Sequence, residues 1–380
     1  MPPATDPSAI FAAVADQLPP AAQRIVAAGS PRPVRLLAAR GVAPGLKPAD
    51  VVAVIALLAE QDDEGVAETA RSSLAALPPP ILTGALASDL EPFVISALLR
   101  ANLRREDVVE ALVRMPRIET AALEEAAAVG SERVTELIAT NEARLLMSPS
   151  VIVKLYKNPR TRMSTADRLV DLAGRNNVEL DLPIFRELVE ALKDQLIPEP
   201  DEEASFDDVV FREAAGRAAE VQVDPKAEDT HEVDEEGVET PVKKLLPLYA
   251  ALAELPLSGK IRRAMIGSAA ERMILVRDTN RLVARAAIKS EMIQEPEIVR
   301  ISASRQISAD ILTEIAKKPD WIKNNQVKLN LVANPRTPFT YVSKLLPYLQ
   351  EHDVRSLSRS KSVPGAVQTL ARQQLSRKGK

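Results

Sequence analysis

The chain has 380 residues, enough for two ordinary domains or one extended repeat array, and its 46% hydrophobic but only 3% aromatic content favours packed helices over sheets. It has no cysteine and only two histidines, His231 and His352, which excludes disulfides, thiolate metal sites, cysteine nucleophiles and imidazole clusters. The net charge is −4, but acidic and basic residues are distributed very unevenly along the chain.

The start of the chain, residues 1–16, has no basic residue before its apolar stretch, and nowhere do eighteen apolar residues follow one another. This pattern predicts a chain that is neither secreted nor membrane-spanning, and we expect a cytoplasmic location.

Short helices are predicted throughout the chain. Apolar residues recur at i, i+3 and i+4 in segments such as 92–99 and 108–113, and turn residues arrive every 10 to 15 positions. Helix starts are predicted at Lys47-Pro48, Ser148-Pro149, Thr337-Pro338 and at Ser164 to Asp167, where the last resembles a capping box. The sequence therefore predicts an all-α fold built from short antiparallel helix pairs.

One motif occurs twice. Residues Leu155 to Thr161 (LYKNPRT) match Leu331 to Thr337 (LVANPRT), and a leucine follows at the same offset in each case. Asn-Pro is typical of a turn, and the threonine can cap the next helix. An alternative is that Arg160 and Arg336 grip a carboxylate or phosphate of a partner.

This pattern of repeated helical hairpins resembles the HEAT-like α-helical repeat proteins, which implies a curved α-solenoid. The runs Arg272 to Asn280, Asn334 to Pro338 and Leu357 to Pro364 also resemble an uncharacterised helical-repeat family of deltaproteobacteria. The second resemblance covers about residues 241–380, and it implies a fold but no activity.

Charge divides the chain into three predicted parts. Residues 1–197 form an N-terminal helical-repeat lobe, residues 198–240 carry 16 acidic against 3 basic residues, and residues 241–380 carry 25 basic against 11 acidic residues. We expect the middle part to be an acidic flexible linker with one short helix near 205–221. Alternatively, it mimics an anionic ligand and folds back onto the basic C-terminal lobe.

The basic residues of the C-terminal lobe are the main candidate binding residues. Arg281, Arg285 and Lys289 are four residues apart and are predicted to line one side of a helix. Four further candidates are predicted to lie on the preceding helix: Arg262, Arg263, Arg272 and Arg277. The last two candidates, Arg160 and Arg336, lie in the two copies of the repeated motif. Together they predict a cationic surface for nucleic acid, anionic lipid or an acidic protein, although each arginine alone is an ordinary surface charge.

No catalytic arrangement can be nominated. Ser258-Gly259-Lys260 lacks the mechanics of a phosphate-binding loop, because Glu254 stands where the first glycine belongs and Ile261 replaces the magnesium-binding hydroxyl. We therefore expect no catalytic, cofactor-binding or metal-binding residue, and a non-enzymatic protein-protein interaction scaffold. The main alternative is an electrostatic binder of nucleic acid or an anionic nucleotide; self-association is compatible with either.

Overall fold

The computed structural model describes residues 7–27, 29–193, 197, 203–224, 226, 229–233 and 238–378. These residues form 26 α-helices and one small two-stranded ribbon, which confirms the all-α fold class. None of the helices described combines the length and the apolar character needed to cross a membrane. The chain divides into two compact units, residues 1–161 and 162–380.

The first unit consists of twelve helices in the residues described. Their bounds are α1 Pro7–Gln17, α2 Pro20–Val26, α3 Arg32–Ala39, α4 Pro48–Leu58, α5 Glu64–Ala75, α6 Pro79–Leu86, α7 Pro92–Asn102, α8 Glu106–Val113, α9 Thr120–Val129, α10 Glu132–Ala139, α11 Glu142–Met147 and α12 Pro149–Lys157. The helix starts predicted at Pro48 and Pro149 are confirmed. Proline suits the first turn of a helix because the main-chain amide that it lacks would have no helical partner there.

Helix α4 lies at the centre of the first unit. Every residue from Val51 to Leu58 is buried, so this helix is apolar on all sides and is enclosed by its neighbours. It packs against α2, α3, α5, α6 and α7.

The second unit contains the remaining helices and the ribbon. Their bounds are α13 Met163–Arg175, α14 Phe185–Leu192, α15 Phe206–Glu220, β1 His231–Val233, β2 Glu239–Pro241, α16 Leu246–Glu254, α17 Leu257–Ile266, α18 Ala269–Leu275, α19 Arg281–Lys289, α20 Glu295–Ala303, α21 Ala309–Lys317, α22 Pro319–Ile322, α23 Asn325–Ala333, α24 Phe339–Leu345, α25 Glu351–Arg359 and α26 Gly365–Lys378. Short 3₁₀ turns lie at Lys243–Leu245 and Leu346–Tyr348.

Much of the segment expected to be a flexible linker has regular structure. The helix predicted near 205–221 is confirmed as α15, which buries Val210, Phe211, Ala214 and Ala218 and packs against α13 and α16. These apolar side chains form one stripe of the helix, and the stripe packs against the neighbouring helices. The acidic average composition of the segment does not reveal this stripe.

The ribbon is the other structured part of this segment. Strands β1 and β2 are antiparallel, with His231 opposite Pro241 and Val233 opposite Glu239. The boundary between the two compact units lies between residues 161 and 162, before the start of the expected linker. It differs from the two domain boundaries predicted from charge, at 197/198 and 240/241.

The capping box predicted at Ser164 is wrong. Helix α13 begins at Met163, and the Ser164 hydroxyl donates to Asp208, 44 residues later, instead of capping its own helix. The start predicted at Thr337-Pro338 is confirmed, since α24 begins at Phe339.

Candidate functional site

Three of the basic residues expected on a cationic surface are buried inside the second unit, and a fourth, Arg277, is mostly buried. Arg262, Arg263 and Arg272 are 0, 5 and 3% exposed, and the side chain of Arg277 is 11% exposed. The expected exposure is therefore wrong for these four residues. Arg262 and Arg263 lie on α17, Arg272 lies on α18, and Arg277 follows the end of α18.

Buried carboxylates pair with two of these arginines. The Arg263 guanidinium lies 2.6 Å from Glu271 Oε1, and Arg272 makes two parallel hydrogen bonds of 2.9 Å to the oxygens of Glu297. Glu271 and Glu297 also accept hydrogen bonds from the amides that begin α18 and α20. Because a carboxylate compensates each of these two charges, both guanidinium groups can lie inside the unit.

Arg262 belongs to a second buried polar cluster, which joins α13, α15 and α17. Its guanidinium lies 4.7 Å from the centre of the Phe211 ring and donates to the main-chain oxygen of Arg162 at 3.3 Å. Ser258 donates to Asp167 Oδ2 at 2.7 Å, while burial raises the pKa of Asp167 to about 7.

Asp208 extends this cluster to the start of α15. Its carboxylate accepts from the Ser164 amide at 2.9 Å and forms a capping box with Ser205. Burial opposes ionisation, but these hydrogen bonds hold the pKa of Asp208 below its usual value. An acidic residue of the expected linker thus attaches α15 to α13.

The three basic residues predicted to line one side of a helix lie on α19 and are exposed to different degrees. Arg281 is exposed and forms an ion pair with Asp310, and Arg285 is partly buried at 2.9 Å from Glu187. Lys289 is also only partly exposed. Carboxylates of the same unit therefore already neutralise the two arginines of this stripe.

The repeated motif has the same geometry in both units. Asn158 Nδ2 donates to the main-chain oxygens of Ala127 and Gly130, and Asn334 Nδ2 donates to those of Ser302 and Ser304, all at 2.8 to 3.0 Å. Each asparagine therefore ties the end of its own helix to the end of a helix about 30 residues earlier. A buried asparagine on α7, Asn102, makes a similar bond to Leu74 at the end of α5.

Both motif arginines are exposed, and each donates to a carbonyl of the same unit. Arg160 donates to Val129 at 3.2 Å and Arg336 donates to Gln306 at 2.9 Å. Asn158 and Asn334 accept from the main chain of these arginines, which confirms the turn. The predicted threonine caps are wrong, because α13 and α24 begin without a side-chain cap.

The mostly buried Arg277 helps to form what we call the Glu239 pocket. This pocket consists of Arg277, Ser304, the main chain of Arg305 and the side chain of Gln306. Its occupant is Glu239 on β2. Arg277 Nη2 lies 3.0 Å from Glu239 Oε2, Ser304 Oγ donates to the same oxygen at 2.7 Å, and the Arg305 amide donates to Oε1 at 3.1 Å.

The Glu239 pocket also binds the main chain of its occupant. In the amide orientation that satisfies both groups, Gln306 donates to the Glu239 carbonyl at 3.2 Å and accepts from the Glu239 amide at 2.6 Å. Burial opposes ionisation, but Ser304 and Arg277 hold the pKa of Glu239 below its usual value. The pocket therefore recognises a charged carboxylate on an extended backbone.

One ion pair connects the ribbon region to a helix of the same unit, and one contact lies within the ribbon region. Asp229 pairs with Arg300 on α20, and Thr230 Oγ1 lies 2.9 Å from His231 Nδ1. Burial, assisted by the charge of Arg277, lowers the pKa of His231 to about 4. His231 is consequently neutral near pH 7.

No family model, curated protein or solved structure matches this chain.

Sequence reasoning missed most residues of the Glu239 pocket. It named Arg277 for a different reason, and it could not select Glu239 from 16 acidic residues in residues 198–240. The only signal was the alternative in which the acidic segment folds back onto the basic C-terminal lobe. Across the residues described, no group of three or more histidine or acidic side chains is placed to hold a metal ion.

Proposed function

We propose that this chain is a non-enzymatic scaffold that binds other proteins, built as a HEAT-like α-solenoid in two lobes. The observation that carries the proposal is the recurrent asparagine tie, in which Asn102, Asn158 and Asn334 join helix ends about 30 residues apart. Such a tie at a regular spacing is what stacked repeats require, because each repeat contacts mainly its neighbours. Stacked helical repeats offer long surfaces suited to protein partners.

The use of the arginines favours a protein partner over a nucleic acid. Nucleic-acid backbones are bound by several exposed lysines and arginines that neutralise phosphates. In the second unit, Arg263, Arg272 and Arg277 already pair with carboxylates, and Arg262 is fully buried. The net positive charge of residues 241–380 therefore overstates the cationic surface that a phosphate backbone can reach.

The proposal includes two binding lobes and a cytoplasmic location. The division into two compact units at residues 161/162 supports two lobes. Two surfaces on one chain raise the effective concentration of the second binding event once the first has occurred.

Photo-crosslinking in cells tests the proposal. Two strongly exposed apolar side chains, Met147 of the first unit at 86% and Tyr348 of the second at 74%, are replaced one at a time by a photoreactive amino acid. We expect a discrete adduct that protease destroys, that nuclease leaves intact, and that an excess of unlabelled chain suppresses. The parent chain without the photoreactive group is the control. Failure to trap protein at both positions, or adducts sensitive only to nuclease, would overturn the proposal.

A further inference from the structure

We propose that the Glu239 pocket is a recognition site for an extended acidic segment of a partner protein, and that the chain's own Glu239 on strand β2 occupies it as an internal competitor. This inference rests on the proposed scaffold function and names the chemistry of one partner.

The first argument is the completeness of carboxylate recognition. Both oxygens of Glu239 accept hydrogen bonds, from a guanidinium, a hydroxyl and a main-chain amide. Arg277 is held in place independently of the ligand, because its Nη1 donates to the Met273 carbonyl at 2.6 Å. A donor fixed in advance loses little freedom when it binds, so the pocket is organised before a carboxylate enters.

The second argument is the recognition of backbone. The Gln306 amide pairs with both main-chain groups of Glu239, as a neighbouring strand would. Pairing of this kind selects an extended peptide whatever its side chains, while a charged pocket selects one residue of it. A free anion or a phosphate offers no such backbone.

The third argument is that the present occupant can leave. Strands β1 and β2 have three residues each, and a two-stranded ribbon of this size is at best marginally stable in water. The apolar side chains of Val233 and Val238 are exposed, and the buried or partly buried side chains of this region, Thr230 and His231, are polar. Polar contacts to the pocket and the Asp229–Arg300 ion pair therefore do much to hold the ribbon in place.

A tethered occupant competes strongly with a free one. A short tether gives an effective concentration of about 1 mM, so a segment whose free affinity is about 100 μM would keep the pocket about 90% occupied. A partner would then bind about tenfold more weakly than it binds an open pocket. The partner must be an extended segment with a glutamate or aspartate, because Arg277 and Arg300 demand negative charge.

The test uses the full chain and a fluorescent peptide with the sequence of residues 229–243. The variant Asp229→Asn/Glu239→Ala removes both carboxylates that hold the internal occupant. We expect it to bind the peptide at least tenfold more tightly than the wild type does. We expect a peptide carrying Glu239→Gln to bind the variant at least tenfold more weakly, and adding Arg277→Met to the variant to abolish binding.

Equal binding by the wild type and the variant would overturn the proposal, as would equal binding of the two peptides. Circular dichroism checks the fold of the variant. If it unfolds, the ribbon is a structural brace and the proposal fails. Inorganic phosphate or duplex nucleic acid that displaces the peptide at comparable concentration would also overturn the assignment to a protein segment.

The two proposals fail in different experiments. If the peptide does not bind but crosslinked proteins are recovered through Met147 or Tyr348, the pocket assignment fails and the scaffold stands. If the peptide binds as expected but no protein adduct forms at either position, the scaffold proposal fails instead.

Discussion

Replacing the buried carboxyl Asp167 by asparagine should remove a defined part of the pH dependence of stability. Asp167 Oδ2 accepts from Ser258, Oδ1 has no hydrogen-bond partner, and Asp207 and Asp208 carry like charge nearby. Arg262 offsets this environment only in part, so burial raises the pKa to about 7 from an ordinary value of 3.8. Asparagine preserves the shape of the side chain but cannot ionise.

The sign and size of the effect follow from these two pKa values. Between pH 3.8 and about 7 the folded chain binds more protons at Asp167 than the unfolded chain does, so the stability of the fold decreases as the pH rises. From pH 5 to pH 8 the loss attributable to this one group is about 2 to 3 kcal/mol. Above about pH 8 it no longer changes, because Asp167 is then ionised in both states.

Urea unfolding at pH 5 and pH 8 measures this loss. Trp321 is the only tryptophan and lies in the same unit as Asp167, so its fluorescence reports the relevant transition. Other titrating groups, including His231, are common to both proteins and cancel in the difference. Asp171→Asn is the matched control, because Asp171 is a partly exposed carboxylate of the same helix that pairs with Arg175. If wild type and Asp167→Asn lose stability in parallel between pH 5 and pH 8, the reasoning is wrong.

Three further predictions concern other polar contacts of the second unit. Asn334→Ala should cost about 2 kcal/mol because it leaves two buried carbonyls unpaired, whereas the exposed Arg336→Ala should cost less than about 0.5 kcal/mol, both measured by urea unfolding. An NMR titration should find the imidazole pKa of His231 near 4, so stability is lost as the pH falls from about 6.5 to 4; a midpoint near 6.5 would contradict its burial. Arg272→Met should cost about 3 to 5 kcal/mol by leaving a buried charge, and combining it with Glu297→Leu should recover at least half; a double variant as unstable as the single one would argue against this account.

The fold class was predictable because it depends on local patterns. The apolar spacing of residues 92–99 and 108–113 corresponds to α7 and α8, and Pro48, Pro149 and Pro338 lie at helix starts. Each of these signals lies within a few residues of the element that it predicts. Short-range spacing therefore suffices to find helices.

The candidate site was not predictable because its partners are far apart in sequence. Arg272 pairs with Glu297, 25 residues later, and Glu239 is bound by Ser304, 65 residues later. From composition alone, arginines are expected to lie on the surface. Composition does not show which helix face is turned inward toward a carboxylate that is distant in sequence. The helix near 205–221 was predicted, but the same limit placed it within a flexible linker, because the contact of Asp208 with Ser164 spans 44 residues.

We propose that the basic residues of the second unit serve the fold and a protein partner rather than a phosphate backbone. Binding of the full chain to duplex and single-stranded nucleic acid across a salt series tests it most directly. We predict dissociation constants no tighter than about 10 μM near 150 mM salt, with a slope that corresponds to only one or two released ions. Binding below about 100 nM, with a slope that corresponds to five or more phosphates, would contradict the claim.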